Sequence, residues 1–270
     1  MRNRSIQSRA FVFCRRGLRF APESLRVFFK AVWLGLLDAP ALEEIALFHY
    51  SGVRSGFETE RQNFGGHCAW EATATEMFFS NCRTILVAGA GGGREAIALA
   101  KLGFQVTAFD FSEDLVSACR RNMQAAGVTA RVLEAPPGRV PDTLGIYDGI
   151  VAGRGFYHHI PGRSQRIDFL KDCRAHVQSN APLFLSDFHT RSSDSTLHRR
   201  THSIASFVRR FRHNPRPVEL GDWLDVCMQH AFVKEEIESE LKAAGFDLEF
   251  YAVSPYSQDS RMAHAVARSI

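Results

Sequence analysis

Lysine is scarce in this chain of 270 residues: of 33 basic side chains only 5 are Lys and 28 are Arg. The net charge is +4 and the sequence pI about 8.8, mildly basic values. An Arg bias of this kind follows from genomic base composition and is not counted as evidence for a nucleic-acid partner. No Cys-x-x-Cys pair occurs, and the cysteines (Cys14, Cys68, Cys82, Cys119, Cys173, Cys227) form no tight cluster with histidine. A zinc site therefore has no support, and a chain long enough to bury a large core needs no disulfide framework. Free thiols in a reducing cytoplasm are expected. No apolar run reaches the ~18 residues of a membrane span; Leu25 to Leu37 is short and interrupted by Lys30. Acidic residues are missing from the first 22 positions, which carry six Arg. That segment is similar to a transit peptide or a membrane-surface helix. A basic helix packed on the domain is preferred, because the apolar periodicity runs on to Leu34.

What is present is an ordinary globular composition, 45% hydrophobic and 23% charged, with a length between one and two domains. The chain is organised around Thr84 to Asp110. The apolar run Ile85-Leu86-Val87-Ala88 predicts a buried strand. Gly89, Gly91, Gly92 and Gly93 follow, so the backbone can turn sharply and lie close to a ligand. Ala96, Ile97, Ala100 and Leu102 then predict a helix, and Gln105 to Phe109 a second strand ending on Asp110. In doubly wound sheets such a unit grips a nucleoside-containing ligand, the acid taking hydrogen bonds from ribose hydroxyls. Asp110 lies 21 residues after Gly89, near the ~20 of a dinucleotide fingerprint. Position 94, however, is Arg where G-x-G-x-x-G needs a third glycine.

The glycines at 89, 91 and 93 fall instead as G-x-G-x-G, a spacing that resembles motif I of the class I S-adenosyl-L-methionine (SAM)-dependent methyltransferases. The resemblance spans about Thr84 to Ile270, with motif I as its specific part. It implies SAM as cofactor and S-adenosylhomocysteine as product. Gly89, Ala90, Gly91 and Gly93 would lie against the methionine part, with Asp110 and Phe111 at the ribose. Glu134 would sit near the adenine, and Gly153 and Arg154 beside the cofactor. The cluster C-x-x-x-C-x-x-C of radical SAM enzymes is absent.

Strand and helix then alternate. A helix is expected over Glu113 to Ala126 with Ser112 as N-cap and Gly127 just past its end. Strands are expected at 130–133, 147–152 and 182–186, with a helix over 163–177. A late amphipathic helix at 233–244 precedes strands at 248–253 and 262–267. The implied fold is an α/β three-layer sandwich, a seven-stranded mostly parallel sheet of order 3-2-1-4-5-7-6 with a helical N-terminal lid. Residues 1–80 are expected to be the cap or lid and 81–270 the SAM-binding domain, with 188–231 as a substrate-side insertion. Within the leader, helices are expected at 24–37, 41–50 and 71–79, broken at Ala39-Pro40, with 59–70 as loop. Tyr50, Asn63, His67, Trp70 and Glu71 are the leader's candidates for contacts.

Ligands in such sheets bind beyond the C-terminal strand ends. After the fourth strand stands G-R-G-F-Y-H-H, and after the fifth Asp187 and His189. This is neither the Asp/Asn-Pro-Pro-aromatic box of amino-methylating nucleic-acid enzymes nor the paired-Glu loop of protein arginine methyltransferases. No Cys lies between 119 and 173 to serve pyrimidine C5 chemistry. What remains resembles small-molecule O- or N-methyltransferases. His158 or His159 is the first choice for a general base, at an ordinary pKa near 6.5, and His189 the second. Tyr157, Asp187, Trp70 and Asp222 are candidate substrate contacts, and no metal is expected. The arginines between 191 and 216 read first as a solvated helix face, second as a site for an anionic small molecule and third as an RNA surface, so nucleic acid is not the expected partner. A homodimer is compatible with the composition. An RNA methyltransferase, a non-catalytic SAM-binding protein and a nicotinamide dehydrogenase are the competing functions.

Overall fold

Four of the five residues of β1 (Thr84–Ala88) are buried. A strand apolar on both faces has to be covered on both, and here it lies at the middle of the sheet. The computed structural model describes residues 5–51, 56–212, 216–255 and 261–270. β1 pairs in parallel with β2 (Gln105–Asp110) and with β4 (Gly149–Ala152). β3 (Arg131–Glu134) extends the β2 side, and β5 (Pro182–Thr190) extends the β4 side. An antiparallel hairpin closes that edge: β9 (Arg261–Ser269) pairs with β5, and β8 (Phe246–Pro255) lies outside it. The order β3-β2-β1-β4-β5-β9-β8 is the expected 3-2-1-4-5-7-6 when the strands of this sheet are counted alone.

Side-chain alternation along β1 feeds the two outer layers. Ile85 and Val87 join the core under α6 (Arg94–Lys101) and α7 (Glu113–Ala125). Leu86 and Ala88 join the core under α8 (Arg163–Arg174) and α10 (Lys234–Ala243). Gly127, at φ +70°, ends α7 in the left-handed conformation, the C′ role expected of it. Ser112 occupies the N-cap position of α7 without a side-chain capping bond.

Ahead of β1 run α1 (Ile6–Gly17), α2 (Glu23–Leu36), α3 (Ala39–Tyr50), α4 (Glu60–Asn63) and α5 (Ala69–Phe78). Pro40, expected to break the leader, instead lies in the first turn of α3, where a missing N–H costs nothing; the Asp38 carboxylate accepts from Ala41 N–H at 2.9 Å and caps the helix. The short α4, capped by Thr59, falls inside the expected loop. α9 (Thr196–Arg212) packs on α2 through Gly35, where an added Cβ would meet the Ala205 carbonyl oxygen at 2.5 Å. Phe11, Leu34, Leu37, Leu42 and Ile45 form a third core with Ala205 and Leu224. A two-stranded ribbon, β6 (Asp222–Leu224) and β7 (Met228–His230), completes this layer. In sequence a helix over His198 to Phe211 would be stopped by Pro215 and Pro217; Pro215 lies outside the described residues. No helix among the described residues is long and apolar enough to cross a membrane.

Candidate active site

The turn after β1 takes three positive φ angles, Gly89 at +67°, Gly91 at +53° and Gly93 at +105°. Three of the turn's four glycines meet different neighbours. A Cβ on Gly89 would fall 2.2 Å from the Phe156 ring, and one on Gly92 would fall 2.1 Å from the Phe57 carbonyl oxygen. A Cβ on Gly93 would touch the Cys119 sulfur at 3.0 Å. Gly91 faces open space, with nothing within 4 Å of the missing Cβ. Its N–H donates to Asp110 Oδ2 at 2.9 Å, and Ser112 N–H donates to Oδ1 at 3.0 Å. Burial pushes the Asp110 carboxyl pKa up, and the backbone N–H groups of Gly91, Ser112 and Phe111 offset part of that rise.

Two neighbouring cavities open over this turn. The first, about 140 Å³, is mostly apolar; Leu42, Phe57, Phe111, Leu115, Pro137, Phe156 and Ile160 are among its walls, with Gly89, Gly91 and Asp110 on its floor. The second, about 400 Å³, is lined by Ala90, Gly92, Asn63, Arg94, Glu95, His158 and Gln229 among others. Tyr50, Phe57, Gly89, Gly91, Arg154, Gly155 and His159 border both. The cap supplies Leu42, Tyr50 and Phe57, and the ribbon supplies Met228 to the first and Gln229 to the second.

A buried ion network braces the second cavity from below. Arg94 holds Glu71 with both guanidinium nitrogens, at 2.6 and 2.7 Å, and reaches Glu95 at 2.6 Å. Glu71 also accepts from the Ser186 hydroxyl at 2.7 Å, and Glu95 accepts from Arg154 N–H at 2.8 Å. Burial alone would raise the Glu71 pKa, but Arg94 outweighs it and holds the carboxyl below its usual range. The network ties α5 to the start of α6 and fixes the backbone at Arg154. Arg94, the residue that breaks the dinucleotide spacing, is thus the centre of a structural salt bridge.

The histidines meet at the far wall. His158 packs, with tilted rings, against His159 and His189 at ring separations of 4.3 and 4.6 Å. His159 Nδ1 lies 3.0 Å from the Met228 carbonyl oxygen, and Nε2 lies 2.9 Å from the Tyr50 hydroxyl. A carbonyl only accepts, so Nδ1 carries the proton and Nε2 accepts from Tyr50. The sequence suggested an ordinary imidazole; burial pushes His159 down to about 4. His158 is also lowered by burial, and its Nδ1 is buried without a hydrogen-bond partner.

A family profile described as a methyltransferase domain matches residues 85–180, from β1 to the approach to β5. Residues 85–180 thus carry a methyltransferase domain. No curated protein matches the sequence. Among solved structures, it is similar to a 1,6-didemethyltoxoflavin N1-methyltransferase from Burkholderia thailandensis at 19% identity and TM-score 0.59, over 86% of this chain and 91% of that one. A SAM-dependent methyltransferase from Methanosarcina mazei gives 16% identity and TM-score 0.57, over 69% and 92%. The magnesium protoporphyrin IX methyltransferase of Synechocystis PCC 6803 gives 14% and 0.50, over 97% and 95%.

Gly89, Gly91, Asp110, Phe111, Arg154 and His159 line the first cavity, and Ala90, Arg154, His158 and His159 the second. The remaining residues singled out in the sequence lie elsewhere. Gly93 starts α6, and Gly153 packs its Cα against the Gly89 carbonyl. Glu134 is exposed at the end of β3 and lines neither cavity. Tyr157 is buried, and its hydroxyl donates to Glu240 at 2.7 Å. Asp187 pairs with Arg154 at 2.6 Å from a β5 bulge, at φ +56°. Trp70 lies under the Arg154 guanidinium and stacks on His264. His189 packs edge-on against Trp223.

Asp222, expected as a substrate contact, lines neither cavity. It is 1% exposed, bonded to His230 at 2.8 Å and to Glu219 N–H at 3.0 Å, so it holds the ribbon together away from both cavities. The insertion's arginines are also not all solvated. Arg209 is 4% exposed and donates to the carbonyls of Leu34 and Leu37 at the end of α2, and Arg191 pairs with Glu236 at 2.6 Å. Phe57, Phe156, Pro137 and Met228 were missed. Their positions on the walls depend on tertiary contacts that no local pattern announces.

Proposed function

We propose that this chain transfers a methyl group from SAM to an oxygen or nitrogen of a small molecule. The observation that carries the reading is the pair formed by Tyr50 and His159 at the junction of the two cavities, facing the glycine turn. The residues present fit the cofactor. Gly91 leaves an open cradle where any side chain would intrude, Asp110 offers a carboxylate below it, and Phe111, Leu115 and Pro137 supply apolar walls for a purine. Gly89, Ala90 and Arg154 would serve the methionine part. When bound, SAM supplies a methyl group already activated by its sulfonium.

The protein's part is alignment and proton removal. Holding an acceptor in line within a closed aromatic pocket supplies up to roughly 7–11 kcal/mol. An acceptor oxygen or nitrogen held beside Tyr50 and His159 would take the methyl group and give up its own proton to the pair. The proton released by the acceptor passes to Tyr50 oxygen while the Tyr50 hydroxyl proton moves to His159 Nε2. For an oxygen acceptor a base of pKa about 4 suffices, because an oxygen gaining a third bond becomes a far stronger acid than imidazolium; a nitrogen acceptor qualifies where methylation leaves an N–H of comparable acidity. His158 and His189 position the ring from behind.

Two of the similar structures were named for enzymes of small heterocyclic acceptors, 1,6-didemethyltoxoflavin and magnesium protoporphyrin IX, which supports a small-molecule acceptor. The six cysteines are free thiols, which supports the reducing cytoplasm as location. The test is mass spectrometry of the purified chain for co-bound cofactor, followed by transfer of labelled methyl from SAM to a panel of phenols, carboxylic acids and nitrogen heterocycles and to RNA. Labelled small products support the reading, whereas label on RNA alone or tight SAM binding without any product rejects it.

A further inference from the structure

Helix α1 presents one unbroken stripe to solvent. Ile6, Arg9, Phe13 and Arg16 are exposed at the three- and four-residue spacings that share a helix face, and Phe20 continues the line in the turn that follows. The three apolar members are 86%, 78% and 92% exposed for Ile6, Phe13 and Phe20. The stripe extends about 20 Å. The opposite face of α1 is firmly held. Phe11 is buried against Phe29 and Trp33, and Glu44 of α3 accepts from Ser5 N–H and from the hydroxyls of Ser5 and Ser8 at 2.7–2.8 Å. The exposed stripe therefore has a fixed orientation. Beside it, between α1 and α2, lies a cleft of about 360 Å³ lined by Arg15, Arg16, Arg26 and Lys30, with Leu18, Phe29 and Asp225. Among the described residues lining the cleft, Asp225 alone opposes these four cations, and it is paired to Lys30 at 2.6 Å. The Arg15 Nε is buried without a hydrogen-bond partner. α2 adds exposed Leu25 and Phe28, and α9, packed on α2, shows Phe207, Arg210 and Phe211 with no acidic residue along its length.

We propose that the outer face of α1 and the adjoining cleft dock the enzyme on an anionic lipid bilayer, Ile6, Phe13 and Phe20 entering the acyl boundary while the arginines hold phosphate headgroups. A protein interface gathers apolar side chains into a contiguous centre depleted of charge. Here each exposed apolar side chain is separated from the next by an arginine, the arrangement of a helix lying in the headgroup plane. Juxtamembrane cations contribute through the negative surface potential, and the cleft gives them a shared headgroup site. The occupant is the surface of a bilayer, with no part of the chain spanning it.

The experiment is co-sedimentation of the full chain with vesicles of phosphatidylcholine alone and of phosphatidylcholine with 30 mol% phosphatidylglycerol, with circular dichroism and S-adenosylhomocysteine titration as controls for folding. Binding is expected on the anionic vesicles only, weakening as salt shortens the Debye length. Arg9→Ala with Arg16→Ala lowers the partition coefficient about 30-fold, from roughly fivefold per cation. Phe13→Ser with Phe20→Ser lowers it at least tenfold while leaving the net charge unchanged. Equal binding to neutral vesicles, absence of binding to anionic ones, or indifference to the Phe pair overturns the proposal. So does sedimentation velocity showing that Phe13 and Phe20 drive self-association without any vesicle binding.

Discussion

Replacing Gly91 by alanine separates the backbone cost of the glycine turn from its role in binding. Gly91 sits at φ +53° with nothing within 4 Å of the added methyl, so the ligand-free protein has room for it. The cost to folding is the left-handed backbone alone, about 1–2 kcal/mol. In a chain of this length that lowers Tm by roughly 2–8 °C. The cofactor would occupy the same space, and forcing a methyl into a packed contact costs about 1–3 kcal/mol, a loss of roughly 5- to 150-fold in affinity. Gly103 provides the control: it sits at φ +95°, likewise with nothing within 4 Å, and lines neither cavity. Gly103→Ala should show a similar Tm decrease and unchanged S-adenosylhomocysteine affinity. Thermal unfolding and calorimetric titration of the two variants side by side decide the matter. If Gly91→Ala binds S-adenosylhomocysteine like the wild type, or if Gly103→Ala loses affinity equally, the cradle has been misplaced.

Further outcomes follow from the same geometry. Asp110→Ala weakens S-adenosylhomocysteine by about 1–3 kcal/mol in the same titration, as a charged acceptor is lost, and it also releases the N–H groups of Gly91 and Ser112. His159→Ala lowers kcat by roughly 10²- to 10⁴-fold with cofactor affinity nearly kept, and the wild-type acid limb of kcat/KM falls near pH 4 instead of 6.5, because His159 titrates at about 4. The same depressed pKa makes folding pH-dependent. An unfolded His binds its proton below ~6.5, so the contribution is complete above that pH, declines as pH falls toward the folded value of about 4, and is constant below it. The loss is about 3 kcal/mol, read as the urea-midpoint difference between wild type and His159→Gln across that window. Arg94→Met leaves Glu71 buried beside Ser186 without its cation and destabilises the fold by about 3–5 kcal/mol in denaturant titrations.

The sheet was legible because its signals are local. Ile85 to Ala88 is apolar at every position, the glycines follow at once, and Asp110 closes the next strand, so order and floor of the site could be read directly. The ribbon was not. Asp222–Leu224 and Met228–His230 are three residues each, too short for alternation to show, and the Asp225-Val226-Cys227 connection contains no glycine or asparagine to mark a hairpin. That is why Asp222 was read as a substrate contact: its partner His230 returns to it only once the ribbon forms. Tyr50 was named among the leader's candidates, but its bond to His159 crosses 109 positions. The proton tautomer that makes His159 an acceptor toward Tyr50 depends on a backbone carbonyl from the same unforeseen ribbon. Arg94 gave half its meaning in sequence, by excluding the dinucleotide spacing, and the other half only when Glu71 came within reach.

Asn122 gives the cap a clasp. Its side-chain amide donates one hydrogen to the Glu58 carbonyl of the leader at 3.1 Å and the other to the Gly92 carbonyl of the glycine turn at 2.9 Å. A single residue of α7 thus ties the leader to the helix and turn it covers. Parting the leader from them forfeits the bond to Glu58, about 0.5–1.5 kcal/mol, so the leader detaches between roughly twofold and 13-fold less often than it would unfastened, while the bond to Gly92 keeps the amide aimed at the leader. The residence time of whatever lies beneath scales with that factor, and turnover is then paced by unfastening once chemistry is fast. Asn122→Ala should shorten the residence of S-adenosylhomocysteine in stopped-flow displacement while changing its contacts little.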